Sequence, residues 1–172
     1  MILSDLSQDP KIDVAIDGAD EVEPTSLHCI KGGGGCQMQE KLIAANSNIF
    51  IIIADYRKQA NHLLTIWRKG IPIEVLPLAY TPIMNKLIEL HGKPTLRMCT
   101  GGKAGPIVTD NGNFIIDVDF GNGQGITNPS ELQTTIKMLT GVIETGIFVN
   151  LAKQAYFGKD DGTVEIWKNN NL

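Results

Sequence analysis

Cysteine, aromatic residues and clustered positive charge are all scarce in this 172-residue chain. Its three cysteines, Cys29, Cys36 and Cys99, are odd in number and form no CxxC pair. That usage fits a reducing compartment and argues against a structural zinc site. His28, His62 and His91 lack ligand-like spacing, so surface or loop positions are expected for them and no metal ligand set is indicated. Lysines and arginines are scattered, and the formal charge is −4. Nucleic acid and anionic membranes both require a basic face and are therefore disfavoured as partners. The longest apolar run, near residues 49–54, is far short of the roughly 20 residues that cross a bilayer. The N-terminal residues Met-Ile-Leu-Ser-Asp-Leu-Ser have neither the basic nor the apolar region of a signal peptide. No repeat or low-complexity segment is present, and Asn169 to Asn171 reads as a polar tail.

With 42% apolar residues, the chain can bury one ordinary domain, or most of one with a small companion. Its organising stretch is Asp17-Gly18-Ala19-Asp20-Glu21, followed by Lys31-Gly32-Gly33-Gly34-Gly35 and then Glu40. Residues 12–16 are apolar and β-branched enough for a buried strand, which puts Asp17 where the strand's carboxyl end opens into a loop. Ligands collect at that position in open α/β sheets. Residues 36–48 read as a helix with Met38, Leu42 and Ala45 as its core-facing stripe and Glu40 on another side. The glycine run enters that helix, so backbone amides and the positive end of the helix dipole would face an anion or developing oxyanion. Cys36 sits at the same helix start, where a thiol can be activated; the alternative is a small residue packed behind the glycines.

Residues 50–55 predict a second buried strand, parallel to the first and again ending in an aspartate. After an irregular stretch containing Trp67-Arg68-Lys69-Gly70, a strand is expected over 73–76, bracketed by Pro72 and Pro77. Helical periodicity runs from Ala79 to His91 through Ile83, Leu87 and Leu90, closed by Gly92-Lys93-Pro94. Short strands then follow at 96–99, 107–109 and 114–118. Asp110-Asn111-Gly112 suits a tight hairpin, and residues 101–106 form a glycine-rich link. A helix from Pro129 to Leu139 starts with Asn128 as its cap. Strands at 142–144 and 147–150 precede a terminal hairpin, 155–157 and 163–167, that returns to the first sheet.

The segments AIDGADEVE (15–23), IKGGGG (30–35), QEK (39–41), ADYRKQ (54–59), PIEVLP (72–77), TDNGNFI (109–115) and GVIETGIF (141–148) together resemble ribose-5-phosphate isomerase type A. The resemblance runs from about Lys11 to Val164 with the motifs in the family's order. It implies an α/β protein: a partial Rossmann-like parallel-sheet domain with an inserted α+β ferredoxin-like small domain. The implied division is 1–76 for the catalytic domain, 77–146 for the small domain and 147–172 for the return. The family's first βαβ unit, with its Gly-Ser/Thr-rich phosphate loop, has no counterpart before Asp13. Met1 therefore reads as an internal start, with an exposed sheet edge and apolar face expected beside it.

The resemblance further implies isomerisation of D-ribose 5-phosphate and D-ribulose 5-phosphate through a metal-free enediolate, in the non-oxidative pentose phosphate pathway, by a cytoplasmic homodimer without a cofactor. Glu40 would be the base, and a partly closed apolar pocket would raise its pKa. Asp17 and Asp20 would bind sugar hydroxyls or assist ring opening, or else cap the Gly18 turn. Lys31 and the amides of Gly32, Gly33 and Gly34 would hold the oxyanion, with Gly18 and Ala19 lining the substrate site. Lys69 lies near the position of a further substrate-contacting lysine, for which Arg68 competes. Glu21 reads as a solvent-facing or turn-capping residue. The rival implication is a catalytically silent sugar-phosphate-binding subunit or an inactive fragment, because the missing unit would supply part of the phosphate grip.

Overall fold

The computed structural model describes residues 2–102, 104–121 and 123–169. Lys103 of the glycine-rich link and Asn170 and Asn171 of the tail lie outside them. The chain runs β1 (Ile12–Asp17), β2 (Glu21–Val22), β3 (Cys29–Ile30), α1 (Gln37–Ala45) and β4 (Ser47–Asp55). It continues through β5 (Ile71–Val75), α2 (Tyr80–Glu89), β6 (Lys93–Leu96), β7 (Phe114–Asp119) and α3 (Pro129–Lys137), and ends with β8 (Val142–Thr145), β9 (Ile147–Phe148), β10 (Ala152–Gly158) and β11 (Val164–Lys168).

The first sheet has the order β1-β4-β10-β11, with β4 parallel to both β1 and β10 and β11 antiparallel at the far edge. The terminal hairpin thus returns to the first sheet. A second, three-stranded sheet, β2-β3-β9, links this unit to the third. The third, fully antiparallel sheet has the order β6-β7-β5-β8 with α2 and α3 in the crossovers, the ferredoxin-like arrangement. Its core joins Ile73, Val75, Ile83, Leu87, Ile116, Val118 and Ile136. A second core packs Ala15, Phe50, Ile52, Phe148, Ala155 and Phe157 under the first sheet.

Several elements depart from the sequence reading for identifiable reasons. Pro72 lies inside β5, opposite Asp117 of β7, and does not bracket the strand. It is tolerated because the β5–β8 ladder begins one residue later, at Ile73, where an N–H is first needed. β5 sits at the centre of the third sheet, beyond the reach of its sequence neighbour β4. Lys93 and Pro94, read as a helix stop, belong to β6, and His91 takes the left-handed turn at φ 64°. Residues 107–109 form only isolated bridges. The helix over 36–48 is shorter, since Ser47 already pairs with Ile12 in the parallel sheet.

The stripe on α1 is also displaced: Leu42 and Ala45 are exposed, and Gln37, Lys41 and Ala44 face inward. β4 is buried on one face only. Val14, Ile16, Ile49 and Ile53 are all exposed, Ile16 at 60%, so the sheet carries an open apolar face beside the unpaired edge of β1. Among the described residues no helix is long and apolar enough to cross a membrane.

Candidate active site

The carboxyl ends of β1 and β4, the glycine loop before α1 and the turn after β4 enclose a cleft of about 300 Å³. Asp17, Gly18, Ala19, Asp20, Lys31, Gly32, Gly33, Gly34 and Glu40 all line it, so every residue singled out from the sequence except Lys69 meets there. The strand–loop–helix order accounts for this. β1 delivers Asp17 at its last residue, β3 delivers Lys31 one residue past its end, and the glycine turn swings the first turn of α1 over both.

Lys31 is the hub. Its side chain is 4% exposed, and its ammonium lies 2.9 Å from Asp17 Oδ2 and 3.4 Å from Glu40 Oε2, while donating to the Gly18 carbonyl. The Glu40 contact is an ion pair and not a hydrogen bond, for Glu40 Oε2 is buried with no hydrogen-bond partner. Burial raises the Glu40 carboxyl above its ordinary 4.5; Lys31 opposes this, and Asp17 and Asp20 add to it. The burying wall is apolar: Glu40, Asp17 and Cys36 also border a second cleft formed by Ile12, Val14, Ile43 and Phe50.

The aspartates divide their contacts. Asp17 Oδ1 accepts from Gly18 N–H at 2.7 Å, so it does cap its own turn while also reaching Lys31. Asp20 Oδ2 accepts from Gly33 N–H at 2.8 Å, which places it across the cleft and not on the Gly18 turn. That bond engages one of the three amides assigned to an oxyanion. Any larger residue at 33 would displace the neighbouring side chains, since a Cβ would stand 2.8 Å from Trp67 and 2.9 Å from both Asp20 carboxyl oxygens. Gly32, at φ 99°, needs the left-handed region.

Lys69 is exposed and does not line the cleft; its ammonium lies 5.1 Å from the Trp67 ring centroid. Arg68 is likewise exposed. The second lysine that lines the cleft, besides Lys31, is Lys58, in the turn after β4. It was legible as part of ADYRKQ just beyond the carboxyl end of a parallel strand. Cys36 is neither packed behind the glycines nor activated: the residue is exposed, and the partial desolvation of its thiol together with the Glu40 charge raises that thiol. Cys29 is buried, and its thiol is pushed up to about 12. His28, expected at a surface or loop position, lies in the loop before β3 and is buried there, with Nε2 3.2 Å from Asn150 Oδ1.

Three structural carriers of the site escaped the sequence reading. Glu21 is fully buried and accepts from the backbone N–H groups of Leu64, Thr65, Ile66 and Trp67, which fastens the Trp67 loop to β2. Arg97 is held by Asp117 through two hydrogen bonds and donates to the carbonyls of Gly32 and Gly33. Lys41, beside Glu40, is buried among oxygen atoms of β8 and β9. Among the described residues no group of three or more His, Cys, Asp or Glu could hold a metal ion.

Fold and cleft define a class: an α/β protein whose parallel strands end in a half-buried carboxylate set against a buried ammonium and glycine amides. Residues 1–162 match the family described as ribose 5-phosphate isomerase A (phosphoriboisomerase A). The chain is 52% identical over 166 residues to the ribose-5-phosphate isomerase of Dictyostelium discoideum, covering 95% of this chain and 70% of that protein. It is 49% identical over 167 residues to that of Candida albicans, covering 96% and 69%. A solved D-ribose-5-phosphate isomerase in complex with phospho-erythronic acid superposes with a TM-score of 0.88 at 39% identity, covering 96% of this chain and 69% of that one. The chain belongs to the ribose 5-phosphate isomerase A family.

Proposed function

We propose that the chain interconverts D-ribose 5-phosphate and D-ribulose 5-phosphate, with Glu40 as the base. The observation that carries this is the Glu40–Lys31–Asp17 cluster: a carboxylate of raised pKa within 3.4 Å of an ammonium, in a cleft lined by glycine amides. In the open-chain aldose, the Glu40 carboxylate would take the proton from C2. Electrons from that C–H bond form the C1–C2 double bond and move the carbonyl pair onto O1, giving an enediolate. Lys31 and the glycine loop would meet the developing charge. The protonated Glu40 then returns its proton to C1, and the O2 proton passes to O1, completing the ketose. Asp17 and Asp20 are suited to hold hydroxyls and assist ring opening, and Lys58 to attract the phosphate.

Family membership supports the substrate, the pentose phosphate pathway, a homodimer and a cytoplasmic location as parts of the same reading. It also favours an enzyme over the silent binding subunit. The direct test is conversion of ribose 5-phosphate by the 172-residue chain and by Glu40→Gln, after circular dichroism has shown both to be folded. Activity in the parent and its loss by about 100- to 10,000-fold in the variant is expected, the range that a positioned general base supplies. Undiminished activity in Glu40→Gln would refute the assignment.

A further inference from the structure

Glu40 and Lys31 are mounted, from opposite sides, on one short segment of the chain, residues 144–148. On one side, Lys31 N–H donates to the Gly146 carbonyl at 2.9 Å, and its neighbour Ile30 pairs with Ile147. On the other, the Lys41 ammonium lies 2.9 Å from Glu144 Oε1, 2.6 Å from the Thr145 carbonyl, 3.2 Å from Thr145 Oγ1 and 2.7 Å from the Ile147 carbonyl. It also lies 4.8 Å from the Phe148 ring centroid, while Lys31 Nζ approaches the same ring at 5.7 Å. An ammonium has three N–H donors, so four oxygens and a ring face saturate it.

Among the described residues, and apart from the Glu40–Lys31 ion pair, the other side-chain tie from α1 to a distant segment is an exposed one, Gln39 Nε2 donating to Asn111 Oδ1 at 3.2 Å. The helix carries no side-chain N-cap, Leu42 and Ile43 point to solvent, and its inward face is Gln37, Lys41 and Ala44. Of these, Gln37 makes no side-chain hydrogen bond and Ala44 offers one methyl. Successive residues are about 100° apart around a helix. Holding Lys41 therefore sets the direction of Glu40.

We propose that Lys41 is a positioning residue: caged by Glu144, Thr145 and Ile147, it fixes the rotation of α1 and thereby the placement of the Glu40 carboxyl against Lys31. This rests on the reading of Glu40 as the base. The groups that set the ionisation of Glu40 are Lys31, Asp17 and Asp20, with Lys58 lining the same cleft and Cys36 one turn back. Those facing Lys41 are Glu144, Cys29 and, through Glu144, Lys137.

The two consequences of removing Lys41 have opposite signs. Loss of a nearby positive charge alone would move the Glu40 pKa upward. Release of α1 would let Glu40 turn into water and move it down towards that of an ordinary glutamate.

The test is a carbon-13 NMR titration of the Glu40 carboxyl, assigned with Glu40→Gln, in the 172-residue parent, Lys41→Met and Glu144→Gln. Steady-state kinetics are measured alongside. We expect Glu40 to titrate lower in both variants, more so in Lys41→Met. We also expect kcat to fall on the order of 10- to 100-fold with KM changed less than about threefold, as for a displaced catalytic group. Lys41→Arg, which retains the cation, should recover part of both. If Lys41→Met does not fold, Lys41→Gln, which also removes the cation but keeps a donor for the same carbonyls, decides by the same two readouts, because in Glu144→Gln the lost negative charge by itself lowers the Glu40 pKa. A Glu40 titration that stays in place or rises in the folded variants overturns the proposal, whatever the melting temperature does. If the parent itself shows no isomerase activity, the functional reading fails while the titration still decides whether Lys41 places Glu40.

Discussion

Replacing Glu21 by alanine should be among the costlier single changes in this chain, although Glu21 touches no cation. Its two carboxyl oxygens accept from four consecutive backbone N–H groups: Leu64 at 2.5 Å, Thr65 at 3.0 Å, Ile66 at 2.6 Å and Trp67 at 3.3 Å. Leu64 is 3% exposed, so its N–H would be stranded without water, a cost of about 2 kcal/mol. Thr65, Ile66 and Trp67 are partly exposed and can regain water, each losing only the net worth of its bond, about 0.5 kcal/mol. The expected loss is therefore about 3–4 kcal/mol, or roughly 6–16 °C in melting temperature for a chain of this length. Glu21→Gln keeps one accepting oxygen but turns an NH₂ group towards another donor, and should lose about 2 kcal/mol. Urea unfolding followed by circular dichroism measures the loss. Because Trp67 on this loop stands against Gly33 of the cleft, KM for ribose 5-phosphate should rise in the same variants. A Glu21→Ala protein that loses less than about 1 kcal/mol would refute the reasoning.

Two further outcomes follow from the site. The acid limb of kcat/KM should lie above the ordinary glutamate value of 4.5, since Glu40 must be ionised to act and its pKa is raised by burial. The native state therefore holds the Glu40 proton more tightly than the unfolded chain does. Its contribution to stability is full at low pH and lost as pH rises through the raised value. Glu40→Gln, which cannot ionise, should gain melting temperature relative to the parent across that window, and a pH-independent difference would count against it. Arg97→Met should lower kcat/KM about 10- to 100-fold, because the carbonyls of Gly32 and Gly33 lose their donor and the loop can turn its amides away. Asp117→Asn, which frees the guanidinium, should act in the same direction, and kinetics of the double variant should show the two effects to be strongly non-additive.

The parts of the fold that were legible in the sequence are those set by local pattern. The β1–α1–β4 unit follows from two β-branched runs that flank a helix, and the α+β character of the third sheet's unit from short strands around two helices, its ferredoxin-like form being what the family resemblance implied. What failed was inference about which face is buried. On α1, Leu42 and Ala45 look inward by periodicity but face solvent, while the side chain of Lys41 turns inward and is 12% exposed. The reason lies in the neighbouring elements. The first sheet leaves Val14, Ile16, Ile49 and Ile53 uncovered on the same side, and the segment 144–148 offers carbonyls, not methyl groups, to the inward face of the helix.

The site divides along the same line. Asp17, Asp20, Lys31 and Glu40 come together in one cleft because strand ends, a glycine run and a helix start are local features, while the roles read for them came from the family resemblance. Glu21, Lys41 and Arg97 were missed because each is a charge whose partners are backbone groups 43 or more residues away, or, for Lys41, more than 100 residues away. Such a residue has the composition of a surface and the burial of a core. Satisfying buried N–H and C=O groups with full charges is worthwhile only where the backbone must hold an irregular shape. All three do this around one cleft: Glu21 for the Trp67 loop, Arg97 for the glycine turn and Lys41 for the junction of β8 and β9. Any one of them alone is a structural curiosity. None of the three lines the 300 Å³ cleft, yet each fastens backbone behind it, so the fold holds that backbone in place where Glu40 and Lys31 must meet a substrate.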